Sequence, residues 1–237
     1  MPAAESIRKF THPEYYWPWK GNPEWGIHAT DPIPGTSHLD GRITMMSNQM
    51  MEFYGVIPDT LEEYVPASQF VQAQAKKFFV ELFRQRRPFT SGILWWNMMD
   101  GWPQISDAIV DYYFTKKLAF DYLKQCHQDI CLILCEPDAW NCRLIVDNTT
   151  RVERKGHYRV LDGDTRECVL EGDFTAKANQ NCFLGNVRAP RSAKRLFIME
   201  WTLEGEEGLH YNHYLLGTPP FDLATCRRWM EEIAEHL

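Results

Sequence analysis

Trp96, Asn97, Asp100 and Trp102 stand within seven residues of one another, in the stretch Ser91-Gly92-Ile93-Leu94-Trp95-Trp96-Asn97-Met98-Met99-Asp100-Gly101-Trp102-Pro103. Indole offers a flat polarisable face and a single donor, which suits the apolar face and hydroxyl edge of a sugar ring. An amide and a carboxylate beside it can bond hydroxyls or brace the loop that carries them. From clustering alone the same tryptophans read more readily as core, because large aromatics fill interiors more often than binding sites.

An element must position these groups. The apolar run Ile93 to Trp96 stops at Asn97, an acidic residue, a glycine and a proline, which predicts a buried strand delivering polar residues into a loop. In α/β barrels and open parallel sheets alike, ligands bind beyond the carboxyl ends of strands.

The order of residues here resembles a known pattern. Trp96 to Pro103, then Val110-Asp111-Tyr112-Tyr113 and Lys116-Lys117-Leu118-Ala119, is similar to the end of the catalytic barrel in glycoside hydrolase family 2, in the branch containing β-mannosidases. There the eighth strand reads Trp-Gln-X-Asn-Asp-X-Trp, followed by an Asp-Tyr dipeptide and a lysine-led last helix. Asn97 replaces the usual Gln and Met99 the usual Asn. The resemblance implies a retaining exo-glycosidase acting on terminal β-linked sugars, whose two carboxylates stand about 5 Å apart as nucleophile and acid/base. It makes Trp96 the hydrophobic wall of the sugar subsite, with Asn97, Asp100, Trp25 and Trp102 as further substrate-binding candidates, no metal and no cofactor. Pro2-Ala3-Ala4-Glu5-Ser6 matches the helix after the family's nucleophile, so the resemblance places both catalytic glutamates upstream and leaves no catalytic residue in the chain. The implied partners are a β-linked carbohydrate, the N-terminal part of the same enzyme, and a second copy of the chain in a homo-oligomer. A different class of reading, a non-catalytic sugar-binding or structural sandwich module, is separated by whether a glutamate from elsewhere belongs beside Trp96.

Along the chain, Ala3 to Phe10 predicts a helix, and Tyr15 to Arg42 a long Trp-, Gly- and Pro-rich loop holding His28 and His38. Trp25-Gly26-Ile27-His28 matches a Trp-X-X-His element of the family, and His28 reads as a loop-fixing residue. Ile43 to Phe53 predicts a helix with Met45, Met46, Met50 and Met51 as gap-filling core. A further helix is expected after Pro66, capped by Ser68 and running to Arg87, with Val71, Ala75, Phe78, Phe79, Leu82 and Phe83 on its buried side. Arg84, Arg86 and Arg87 at its end suit the macrodipole without a phosphate ligand. Asp107 to Phe114 reads as loop, and Thr115 as the cap of a last helix ending near Gln125.

From Asp129 the pattern becomes short apolar or alternating runs between turns: Ile130 to Leu134, Cys142 to Val146, Tyr158 to Leu161, Glu167 to Leu170, Cys182 to Leu184, Leu196 to Trp201 and Leu209 to Leu215. These seven strands predict an antiparallel immunoglobulin-like sandwich, which the family also places after its barrel. The resemblance implies the last part of a (β/α)8 barrel over residues 1–126, and the pattern that follows predicts an immunoglobulin-like β-sandwich over 127–217 and a helical tail over 218–237.

The chain has 237 residues, 44% of them hydrophobic, enough for a substantial core. A net charge of -7 argues against nucleic acid and anionic membranes, and no apolar run reaches spanning length. Seven cysteines without Cys-X-X-Cys spacing, and no export signal at the first residues, favour free buried thiols and the cytoplasm.

Overall fold

A computed structural model describes residues 1–29, 41–190 and 192–237. His38 lies outside the described residues. Two compact units are present: Met1–Lys76, Leu94–Leu123 and Pro219–Ala224 form the first, and Lys77–Ile93, Lys124–Thr218 and Thr225–Leu237 the second.

The first unit is built on helices. A short α1 (Ala4–Ile7) and a 3-10 turn (Pro13–Tyr15) lead to α2 (Pro23–His28), followed by α3 (Gly41–Tyr54). Asn22 caps α2 with its side-chain oxygen, accepting from the N–H groups of Glu24 and Trp25 at 3.2 Å each. Of the methionine stripe, Met46 and Met50 are buried as core and Met51 is exposed.

Helix α4 (Leu61–Gln85) starts well before the expected Ser68 and carries Pro66 inside it. Thr60 Oγ1 accepts from the N–H of Glu63, so the cap precedes the proline, whose own side chain is exposed. Residues 61–76 contribute Leu61, Tyr64, Val65, Phe70 and Ala73 to the first core. Helix α5 (Leu118–Cys126) adds the buried Tyr122 and Leu123, and Phe70 meets Tyr122 edge-on at 6.4 Å. Thr115 does not cap α5; its N–H donates to Asp111 Oδ1, while the N–H of Leu118 donates to Gln69 Oε1 at 3.1 Å.

The strand expected over residues 93–96 is not formed. Among the described residues no strand pairs with it, Leu94 is fully exposed and Trp96 is 80% exposed. A strand exists only through hydrogen bonds to neighbours, so an apolar run without a pairing partner stays outside any ladder.

The second unit is a β-sandwich. All seven expected strands are present: β1 (Ile130–Leu134) as expected, β7 (His210–Leu216) shifted by one residue, and β2 (Asn141–Asn148), β3 (Arg154–Asp162), β4 (Cys168–Ala176), β5 (Gln180–Arg188) and β6 (Arg195–Leu203) longer than their apolar cores. They form an antiparallel three-stranded sheet in the order β1-β2-β5 and a four-stranded sheet in the order β4-β3-β6-β7. Inward residues of both sheets, among them Leu132, Leu144, Val146, Val160, Phe197, Met199 and Trp201, make one core. Gly156 has no room for a side chain, since a Cβ there would stand 2.0 Å from the carbonyl oxygen of Thr202. Helix α6 (Leu223–Ala234) buries Cys226, Trp229 and Ile233, and Trp229 Nε1 donates to Asp164 at 3.0 Å.

Residues 77–85 of α4 belong to this second unit, and the face they bury is not the expected one. Phe78 and Phe79 are exposed, whereas Lys77, Val80 and Glu81 are buried. Lys77 Nζ donates to Glu81 Oε1 and to the carbonyl of His213, both at 2.6 Å, and Asn212 Nδ2 donates to the same Glu81 oxygen at 2.7 Å. Arg84 and Arg87 both reach the fully buried Asp147, at 2.6 and 3.0 Å. The hydrophobic period pointed to the wrong side because ion pairing makes the polar side the one that can be buried.

The cysteines are thiols; Cys126, Cys131, Cys142 and Cys226 are buried and Cys168 is exposed. Burial pushes the Cys131 and Cys142 thiols up to about 12. Among the described residues no helix is long and apolar enough to cross a membrane.

Candidate functional site

The first unit carries all five sequence-selected residues, in different settings. The loop after residue 96 is held by backbone bonds that run between residues 97–100 and 109–110. The N–H of Ile109 donates to the carbonyl of Asn97, that of Val110 to Met98, and that of Asp100 to Val110. Met99 and Val110 form a parallel bridge, and Val110 an antiparallel one to Lys116.

Asp100 is the anchor of this loop. Its side chain and that of Lys117 are both fully buried, with Nζ 3.3 Å from Oδ2. Gln104 Nε2 donates to Oδ1 at 2.8 Å, and the Ser106 hydroxyl donates to the same oxygen in a short bond. Burial lowers the Lys117 pKa, and Asp100 is the strongest influence drawing it back up. Thus every oxygen of Asp100 is engaged within the protein.

Asn97 is half-buried; its Nδ2 donates weakly to the carbonyl of Met99 at 3.3 Å, and its Oδ1 is buried with no partner among the described residues. The preceding peptide, Trp96–Asn97, is cis. Trp96 itself is 80% exposed and makes no ring contact or side-chain hydrogen bond among the described residues.

Trp102 is 44% exposed and stacks on His28, centroid to centroid 5.4 Å. His28 in turn lies 4.6 Å from Phe10, and its Nδ1 is 2.7 Å from the carbonyl of Pro103. That carbonyl can only accept, so Nδ1 carries the proton and Nε2 of the neutral ring is an acceptor. His28 thus ties the end of α2 to the loop at Pro103. Trp25, one turn earlier on α2, is completely buried between Trp17 and Tyr64, each 6.0 Å away. Among the described residues no ring contact joins Trp96 to Trp102 or to Trp25.

Sequence reasoning missed Gln72, Lys76 and Asp107. Gln72 Nε2 donates to the carbonyl of Asp107 at 2.6 Å, Arg42 pairs with the Asp107 carboxylate at 2.9 Å, and Lys76 Nζ donates to the carbonyl of Trp96 at 2.8 Å. The i, i+4 spacing of Gln72 and Lys76 was the available signal. Among the described residues no three His, Cys, Asp or Glu side chains gather as metal ligands would. What the arrangement offers is an exposed indole on an anchored loop, with hydrogen-bonding groups beside it, which suits binding rather than proton transfer.

No family model matches the chain. Among curated proteins it is similar to β-mannosidase B of Thermothelomyces thermophilus, 27% identical over 180 residues that cover 69% of this chain and 21% of that protein. It is also similar to β-mannosidase B of Aspergillus flavus, 36% identical over 84 residues, 34% of this chain and 10% of the relative. Among solved structures, the β-D-mannosidase of Dictyoglomus thermophilum superposes with a TM-score of 0.74 at 26% identity, over 93% of this chain and 26% of that one. This chain resembles the C-terminal part of a family 2 β-mannosidase. An exo-chitosanase of Amycolatopsis orientalis shares the fold, with a TM-score of 0.69 at 13% identity over 96% of this chain and 29% of its own. The chain spans about a fifth of the T. thermophilus β-mannosidase and about a quarter of the solved one. These relatives are glycoside hydrolases, and the structural match to the D. thermophilum enzyme covers nearly the whole of this chain.

Proposed function

We propose that this chain is the C-terminal portion of a retaining exo-glycoside hydrolase that removes terminal non-reducing β-linked sugars, β-mannosides foremost. In this reading residues 1–126 end a (β/α)8 catalytic barrel, residues 127–217 are an immunoglobulin-like sandwich, and residues 218–237 are a helical tail. The substrate is a β-linked carbohydrate, and the partner is the remainder of the same enzyme.

The observation that carries the reading is Trp96. A large indole left 80% exposed next to an anchored loop is costly unless something apolar covers it, and the face of a pyranose is such a surface. Trp96 forms the wall of the subsite, and Asn97, with its unpartnered Oδ1, accepts from a sugar hydroxyl. Asp100 holds the loop through Lys117, Gln104 and Ser106, while Trp102 stacks on His28. Trp25 supports α2 from below by packing.

The nucleophile and the acid/base come from outside these residues. In the first unit Glu24 pairs with His12 and Glu62 with Arg8. A retaining hydrolysis needs one carboxylate to attack the anomeric carbon and another to protonate the leaving oxygen, then to activate water.

Two assays test this. The 237-residue chain should leave nitrophenyl β-mannoside, β-glucoside and β-galactoside intact; turnover that survives clean purification and vanishes when one of its own glutamates is mutated would overturn the reading. In an enzyme reconstituted with the upstream part of the gene, Trp96→Ala should lower kcat/KM for the β-mannoside by at least about ten-fold, as loss of a sugar-stacking wall implies. Unchanged kinetics would remove Trp96 from the site.

A further inference from the structure

Lys76 holds the backbone on which Trp96 stands. It follows Gln72 by four residues on α4, so both project from one helix face. Gln72 grips one arm of the loop at the carbonyl of Asp107 (2.6 Å), and Lys76 grips the other at the carbonyl of Trp96 (2.8 Å). The same ammonium lies 5.1 Å from the centre of the Trp95 ring. Burial lowers the Lys76 pKa, with Asp107 opposing that shift and Lys117 adding to it. A partly desolvated lysine needs such compensation, and here one carbonyl and one aromatic face supply it.

The Trp96 indole is 80% exposed and makes no ring contact or side-chain hydrogen bond among the described residues, so its direction is set chiefly by its backbone. That backbone is tied on one side by Ile109 to the carbonyl of Asn97 and on the other by Lys76. We propose that Lys76 is a positioning residue for Trp96, clamping residues 95–96 so that the indole is presented at a fixed angle. The inference rests on the reading of Trp96 as the sugar-facing wall, and it adds a residue that never touches the sugar.

The test uses the 237-residue chain labelled with 5-fluorotryptophan, which gives nine 19F resonances, one for each tryptophan. Trp96→Phe identifies the Trp96 line. In Lys76→Met that line should shift and broaden while the Trp25 and Trp201 lines stay in place, which also certifies the fold; Lys76→Arg, which keeps a donor and a charge, should restore it. Titration with methyl β-mannoside should move the wild-type Trp96 line, and the apparent Kd should weaken about five-fold in Lys76→Met, the worth of one lost anchoring hydrogen bond. A Trp96 line unchanged in Lys76→Met, or a sugar-induced shift of that line with the same apparent Kd in both proteins, overturns the clamp. A Trp96 line that depends on Lys76 but ignores the sugar sustains the clamp and defeats the sugar-wall reading instead.

Discussion

Asp100→Asn removes one charge from the ion pair that anchors the candidate site and leaves its shape almost unchanged. In the native protein Lys117 and Asp100 have no exposure, so the variant strands an ammonium where water cannot solvate it. Breaking a buried pair by removing one partner typically costs about 3–5 kcal/mol, and here the amide also weakens acceptance from Gln104 and Ser106. Urea unfolding followed by tryptophan emission reports on this unit, because Trp17, Trp19, Trp25, Trp95, Trp96 and Trp102 all lie within it. The pH dependence has a definite sign. Burial already lowers the Lys117 pKa below the ordinary 10.5, and without Asp100 it falls further. The unfolded chain then binds more protons than the folded one between the folded and unfolded pKa values, so stability rises with pH across that window. The deficit of Asp100→Asn should therefore shrink as pH rises toward 10.5, where Lys117 loses its proton in both states. Adding Lys117→Met removes the stranded charge and should recover most of the loss, as apolar replacement of a whole buried pair does. A single variant destabilised by less than about 1 kcal/mol, or a double variant no more stable than the single, would refute the anchoring role.

Trp96→Ala should leave stability within about 0.5 kcal/mol of the parent, since an exposed side chain makes no cavity, whereas Trp25→Ala should cost about 3–5 kcal/mol; parallel urea melts compare them. Glu81→Ala leaves Lys77 buried without a counter-charge and Asn212 short of an acceptor, so the sandwich should lose about 3–5 kcal/mol, read by amide exchange in β1 and β7. Maleimide labelling of the folded chain should modify the exposed Cys168 first, with Cys131 and Cys142 reacting only on unfolding; early loss of the Cys131 thiol would contradict its burial.

How much of this was legible in the sequence differs between the units. Every strand of the sandwich could be located from its apolar run, because alternation and turn residues act within a few positions along the chain. Only strand ends were missed: Asp147 and Asn148, which look like a turn, finish β2 because Asp147 meets Arg84 and Arg87, and Asn148 Nδ2 donates to the carbonyls of Val152 and Ala176. The family resemblance was likewise readable from the spacing of Trp96, Asp100, Trp102, Asp111 and Lys117, and the similarity to β-mannosidases agrees with it.

Long-range polar pairing decided the rest. Local pattern assigns Phe78 and Phe79 to a core and Lys77 and Glu81 to water, and only the arrival of Asn212 and the His213 carbonyl, more than a hundred residues later, reverses that assignment. The same holds at the site. Residue types alone make Asp100 and Trp25 as eligible for a ligand as Trp96; tertiary structure buries the first in an ion pair with Lys117 and the second among Trp17 and Tyr64, and leaves Trp96 open. An apolar run such as residues 93–96 carries the capacity to be a strand, but a ladder needs a neighbour, and that is a property of the assembled fold rather than of the run itself.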